Sequence, residues 1–350
     1  MITENAKKIF NAVSAQAVLT EQADLRKYLT GLSTSFGYVL SDKEGTTFYT
    51  DPRYLEAAAS ALRGTGIDVK LYQGPLENIL KPYSEVAIPV SRTLYPDYMK
   101  LANMNLKIID STPAFTEAMA VKEDEELVLI KKACEIADNA YVNLLGRIKE
   151  GMSENEVAAE LEYLMRKLGA SGTSFETIVA FEENASVPHH ETCNRKLKFG
   201  DIILIDFGCI YGGYCSDCTR TFLFGDDKKH GEFKEMYEHV LKAHMLAKER
   251  ITAGVTGREA DGFARDYLRE HDLDKYFTHS LGHGIGLQIH EYPVLSPKGE
   301  EILKDGMVFS DEPGVYLAGQ YGIRIEDSCY LKDGKTVSFM TKTDRRLIIL

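Results

Sequence analysis

The chain has 350 residues, 44% hydrophobic and 27% charged, enough for two packed domains and too apolar for a disordered chain. Its 53 Asp and Glu against 41 Lys and Arg give a net charge of -12, which argues against nucleic acid or an anionic membrane as a partner, since both select clustered cations. The opening MITENAKKIFNAVSAQ lacks a signal-peptide core and no apolar run is long enough to cross a bilayer, so a soluble cytoplasmic protein is expected.

From Ile2 to about Ala118 helical and strand patterns alternate. FGYVLS and TTFYTD read as a strand pair, PRYLEAAASALRGTG as a helix ending in glycine, DVKLY and EVAIPV as short strands, with a further helix and strand through KIIDSTPAF. The charged stretch AVKEDEE then leads into a long amphipathic helix, ELVLIKKACEIADNAYVNLLGRI. Two domains are predicted, 1–118 and 119–350. In the second, Ser153 and Glu156 are spaced as a capping box. Helices over EFKEMYEHVLKAHMLAKERI and TGREADGFARDYLREH precede strand-like pieces to the C-terminus, so the halves repeat a helix-helix-strands layout without evident matching sequence.

Six cysteines are scattered over a large domain, unlike a dense disulfide framework. Cys215 and Cys218 form a C-x-x-C, but no second pair completes a zinc ribbon, and in a strand the two point to opposite faces.

Chemistry concentrates in IDFGCIYGGYCSDCTRTF, Ile205 to Phe222. Read as a hairpin turning at Gly212-Gly213, it sets Tyr211 against Tyr214 and Asp206 against Thr219. Asp206 and Asp217 then share a sheet face as diagonal neighbours roughly 7–8 Å apart. On a wet face the two carboxylates would merely be solvated. DIILID, however, is too apolar for such a strand, and buried like charges call for a compensating cation. HSLGHGIGLQIHEYP offers His279, His283 and His290 among glycines, where helical ligand spacing does not apply. Glu312 ends the strand MVFSDE before Pro313. In GIRIEDS, alternation places Arg324 and Glu326 on one face, where an ion pair between them is the plain structural reading.

The order Asp206, Asp217, His283, Glu312, Glu326, in the phrases SDCTRTF, GHGIG, DEPG and RIED, resembles the pita-bread metallopeptidases: Xaa-Pro aminopeptidases, prolidases and, more distantly, methionine aminopeptidases. The likeness is strong from Val121 onward and looser before it. It implies an α/β N-terminal domain of creatinase/prolidase type, followed by an α+β pita-bread domain with pseudo-twofold halves. It further implies that the five residues hold two divalent metal ions. Manganese is the first expectation for so oxygen-rich a set, with cobalt, iron or zinc as alternatives.

On the same resemblance Glu312 shuttles a proton, His189 and His290 assist at the oxyanion, and His279 and Arg324 contact substrate or lock their neighbours. The expected substrates are short peptides with proline second, and the expected assembly a homodimer. An Xaa-Pro aminopeptidase leads and a prolidase cleaving Xaa-Pro dipeptides is the alternative; a metal-free creatinase-like hydrolase or a ligand-free binding module would not retain all five donors. Two departures from the family pattern are His190, where a small residue is usual, and Asp311, where an apolar one is.

Overall fold

The computed structural model describes residues 2–225, 230–334 and 336–350. The chain divides into two compact units, Met1–Met119 and Ala120–Leu350. The first unit runs α1 (Ile2–Ala12), β1 (Ala17–Thr20), α2 (Ala23–Thr30), β2 (Tyr38–Asp42), β3 (Gly45–Thr50), α3 (Pro52–Ala61), β4 (Ile67–Leu71), α4 (Leu76–Leu80), β5 (Glu85–Ile88), α5 (Tyr95–Ala102), β6 (Lys107–Asp110) and α6 (Thr112–Ala120). Its six-stranded sheet has the order β4-β3-β2-β1-β5-β6. Only the neighbours of β2 pair antiparallel with it; the other pairs are parallel. Local chemistry starts α3 cleanly, with Asp51 accepting from the Arg53 N–H and Pro52 opening the first turn.

The second unit opens with α7 (Asp124–Leu145) and α8 (Glu154–Lys167), then β7 (Gly172–Thr173), β8 (Ile178–Phe181), β9 (Asp201–Phe207), β10 (Cys209–Tyr211), β11 (Tyr214–Cys215) and β12 (Cys218–Phe224). Its second half has α9 (Gly231–Arg250), α10 (Gly257–Glu270), β13 (Gly282–Gly284), β14 (Glu291–Leu295), β15 (Val308–Asp311), β16 (Gly314–Leu317), β17 (Tyr321–Arg324), β18 (Asp327–Tyr330) and β19 (Ser338–Phe339). Helix α7 buries Leu127, Ile130, Cys134, Ala137, Tyr141 and Leu144, a stripe at the three-and-four spacing of one helical face.

The two halves of this unit share more than element order. Gly151-x-Ser153-x-x-Glu156 and Gly254-x-Thr256-x-x-Glu259 are the same phrase. Each glycine has a positive φ, 84° and 98°, and each Ser or Thr caps its helix in a reciprocal box with the glutamate. Gly151 N–H donates to Leu197 and Gly254 N–H to Leu303. Asp206 lies nine residues after Leu197 and Glu312 nine after Leu303. The pseudo-twofold therefore relates Asp206 to Glu312, and each half donates one carboxylate from the end of a central strand.

The hairpin predicted as two continuous strands is broken. β9 and β12 join β8 in one three-stranded sheet, while β10 and β11 join β7 in another. The break falls at Gly208, where a Cβ would collide with the Ser216 carbonyl oxygen. Ser216 Oγ accepts from Cys209 N–H there, and the kink turns Asp217 out of the ladder.

Candidate metal centre

β9 and β12 pair with Asp206 opposite Thr219, and Tyr211 faces Tyr214 across the turn, so the register is the one the Gly-Gly turn predicts. Asp217 precedes β12, its N–H donating to Ser328 Oγ and its carbonyl accepting from the same hydroxyl. His283 is the middle residue of β13, Glu312 follows β15, and Glu326 lies between β17 and β18. These five, with His189, His279, His290 and Arg324, line one pocket of about 300 Å³. Every side chain expected from the sequence to bind metal, catalyse or contact substrate thus lines a single cavity.

The electrostatics of that cavity require positive charge. One donor atom each from Asp217, His283 and Glu326 lies within 4.8 Å of the others. His283 Nδ1 is 3.1 Å from the Gly284 carbonyl, which fixes the ring proton there and leaves a lone pair on Nε2. That lone pair is 3.3 Å from Glu312 Oε1 and 3.6 Å from Asp217 Oδ2. Acceptors therefore face acceptors. Asp206 Oδ1 is buried without a hydrogen-bond partner among the described residues. Burial, followed by repulsion from neighbouring carboxylates, pushes Asp217 and Glu326 well above the usual carboxylate range. Burial pushes Glu312 up to about 7, although Arg324 pulls it back. Cations among these donors relieve all of this at once, so the residues fit the divalent ions that their chemistry implies.

Arg324 does not pair with Glu326 as same-face geometry invited. Its Nη2 is 2.5 Å from Asp206 Oδ2; Nε donates to Thr219 Oγ1, and Nη1 to Tyr316 OH and the Pro188 carbonyl. Glu326 instead accepts from Thr219 Oγ1 at 2.6 Å. A chain of orientation runs on from Arg324 through Tyr316 OH to His279 Nε2, 2.9 Å away. Burial, and then Arg324, holds the His279 pKa down at about 3, so its ring is neutral.

The family profile described as Metallopeptidase family M24 matches residues 128–333, and that of the Creatinase/Prolidase N-terminal domain matches residues 3–118. The chain belongs to metallopeptidase family M24. The Xaa-Pro dipeptidase of Pyrococcus furiosus is 36% identical to it over 315 residues, 89% of each chain. The crystal structure of an Xaa-Pro dipeptidase from Bacillus anthracis is similar with a TM-score of 0.94 and 34% identity across 100% of both chains. That of an X-Pro aminopeptidase from Thermotoga maritima is similar with a TM-score of 0.91 and 32% identity over 99% of each. As a member of M24 the chain is a metallopeptidase that uses divalent metal ions.

In this M24 chain the two departures from the family pattern have definite places. His189 lines the pocket, whereas His190 turns away and its Nε2 is 2.8 Å from Glu154 Oε2. Asp311 also turns away from its neighbour Glu312. At the end of β15 it is fully buried, with Oδ2 3.2 Å from Nδ1 of His244 on α9, too poorly aligned to be a hydrogen bond. His244 Nε2 meets Asp327 Oδ2 at 2.8 Å, and Asp327 is also paired with Arg220 and Arg345. Burial alone would lower His244, but the Asp311 charge and its contacts with both carboxylates push it up to about 9. A cationic imidazole thus ties together the residues next to Glu312 and Glu326. Sequence reasoning assigned no role at the site to His244, Thr219, Ser310, Ser328 or Tyr316, because the partners of His244, Thr219, Ser328 and Tyr316 come together only through the fold and no local phrase marks any of the five.

Proposed function

We propose that this chain is an Xaa-Pro dipeptidase whose catalytic residues are those lining the 300 Å³ pocket, in a catalytic domain spanning 119–350 that follows an N-terminal domain of 1–118. The reading is carried by the fit of Asp206, Asp217, His283, Glu312 and Glu326 to a pair of divalent ions, joined to a near full-length relative named Xaa-Pro dipeptidase. Manganese is the proposed native ion, because four carboxylates and one imidazole form a hard donor set. When bound, the ions supply Lewis acidity that ionises water near neutral pH. Glu312, oriented by a 2.9 Å hydrogen bond from Ser310 Oγ, takes a proton from the attacking water and gives it to the departing prolyl nitrogen. His189 and His290 donate N–H groups to the oxygen that becomes negative as the carbonyl turns tetrahedral. Arg324 holds Asp206, Thr219 and Tyr316 in register and does not reach for substrate.

An Xaa-Pro bond has no N–H on its prolyl nitrogen, so a site that recognises it cannot rely on that donor and must shape itself to the ring. Phe175, Ile178, Ile289 and Val294 provide the apolar part of the wall. The second reading, an Xaa-Pro aminopeptidase, is favoured by one observation: Arg324 is the only Lys or Arg lining the pocket among the described residues, and it is already committed. A dipeptide's free carboxylate would then find no uncommitted Lys or Arg in the lining among the described residues. Manganese-loaded protein is expected to hydrolyse Ala-Pro faster than Ala-Pro-Ala. Faster cleavage of the tripeptide selects the second reading, and cleavage of neither, under conditions where two ions per chain are bound, removes both. The homodimer expected from the resemblance belongs to this proposal, and sedimentation equilibrium tests it.

A further inference from the structure

A second cluster of side chains with metal-ligand chemistry lies outside the pocket. Glu154, the first residue of α8, is completely buried. Its Oε1 accepts from Phe181 N–H at 2.8 Å and Asn184 Nδ2 at 2.9 Å, which anchors that oxygen. Its Oε2 is different: His190 Nε2 at 2.8 Å and Cys193 Sγ at 3.0 Å both converge on it, along with Cys193 N–H. The three donor atoms lie within 4.8 Å of one another. His190 and Cys193 are only partly buried, so solvent reaches the fourth side.

We propose that Glu154, His190 and Cys193 form a second metal site that takes one thiophilic divalent ion of the zinc class, with water as the fourth ligand. A carboxylate, an imidazole and a thiolate are the donor types that such ions select. The short His-x-x-Cys loop makes a natural chelate. Binding needs a balanced exchange: the Cys193 thiol loses its proton to solvent, and the His190 ring proton moves to Nδ1. Without the ion the cluster carries the single negative charge of a buried carboxylate, and among the described residues no Lys or Arg pairs with it. With the ion, two anionic ligands neutralise two positive charges, which lowers the cost of burial. Tetrahedral zinc-class geometry, with bonds of about 2.0 Å to N and O and about 2.3 Å to S, asks the donors to separate by roughly half an ångström. The exposed side of the loop permits that.

The position of this cluster gives it a consequence for the pocket. Glu154 fastens both ends of the segment from Phe181 to Cys193, and that segment carries Pro188 and His189 into the pocket wall. An ion drawing His190 off Glu154 Oε2 pulls on the residue next to His189.

The proposed catalytic set contains no sulfur, and the other five cysteines are buried. A thiolate-to-metal charge-transfer band therefore reads this cluster alone. Manganese-loaded enzyme titrated with Co²⁺ is expected to develop such a band in the near ultraviolet, saturating at one equivalent per chain. The Cys193→Ser variant, whose hydroxyl can still donate to Glu154, should lack it, and His190→Asn should need at least tenfold more Co²⁺. The site is refuted if no band forms up to millimolar Co²⁺, or if the band is unchanged in Cys193→Ser. Turnover under Co²⁺ should fall further in the wild type than in Cys193→Ser, and equal responses would refute the link to His189. Neither readout depends on which Xaa-Pro peptide is cleaved.

Discussion

Arg324 is nearly inaccessible to solvent and hydrogen-bonds to Asp206, Thr219, Tyr316 and Pro188. A planar fork can serve such separated acceptors together and a lysine ammonium cannot. Arg324→Lys is expected to bind the ions about 10- to 100-fold more weakly and to lose a similar factor in kcat, as removal of an orienting partner generally does; metal titration with kinetics checks both. Removing the charge entirely, in Arg324→Met, strands Asp206 and should cost roughly 3–5 kcal/mol of stability. The adjacent histidines separate by role. His189→Ala should lower kcat/KM with little change in urea midpoint. His190→Ala should lower the unfolding free energy, read from the urea titration, by the roughly 1.5–3 kcal/mol of a hydrogen bond to a charged group. An unchanged midpoint in His190→Ala would contradict a stabilising role for its contact with Glu154. At this scale the sequence exposed the pocket-lining candidates that lie in distinctive short phrases, such as GHGIG and DEPG. It did not expose Glu154, which reads as an ordinary first-turn acid of α8 because its partners at 181, 184, 190 and 193 come together only through the fold.

Elements were legible where the cause was local and obscure where it was not. The α7 stripe, the α8 capping box and the Gly-Gly turn each follow from residues a few positions apart, and all appear in the structure. The break of the hairpin at Gly208 follows from the Ser216 carbonyl eight residues away, and period-two alternation carries no trace of it. The internal repeat was hidden for another reason: its common phrase is the six-residue G-x-[ST]-x-x-E, too short to stand out before the matching glycine angles are seen. Between elements, His244 joins α9 to the ends of β15 and β18 through Asp311 and Asp327. Its pKa is raised from an ordinary 6.5 to about 9, so protonation favours the folded state. That contribution is complete below pH 6.5 and disappears as pH rises through 9. Its upper size is roughly 3 kcal/mol. The urea midpoint should therefore decline between pH 6.5 and 9.5, and His244→Gln should flatten the decline while lowering stability at pH 7. An unchanged slope in the variant would locate the alkaline sensitivity elsewhere.

At the scale of the whole molecule, two units with separate cores respond differently to loss of metal. The smaller spans Met1–Met119 and the larger Ala120–Leu350, and the five proposed ligands all belong to the larger. Unfolding enthalpies near 60 °C scale with length, to about 80 and about 160 kcal/mol for units of these sizes. Ions that bind only the folded form stabilise it by about 2.7 kcal/mol at a hundredfold excess over Kd. For a unit of this size, that corresponds to several degrees in Tm. Chelation takes this away and leaves Asp217, Glu312 and Glu326 close together in the pocket, where burial and the neighbouring carboxylates favour their uptake of protons. Calorimetry with and without EDTA is expected to show the larger-enthalpy transition moving down by several degrees. The smaller one should stay in place, and the shift should reverse when Mn²⁺ is restored. Lowering the pH from 8 to 6 should narrow the gap, because protons then replace the ions in relieving the repulsion among these carboxylates. If EDTA moved both transitions alike, or moved neither from a protein shown to have bound two ions, the ions could not be held by these five side chains.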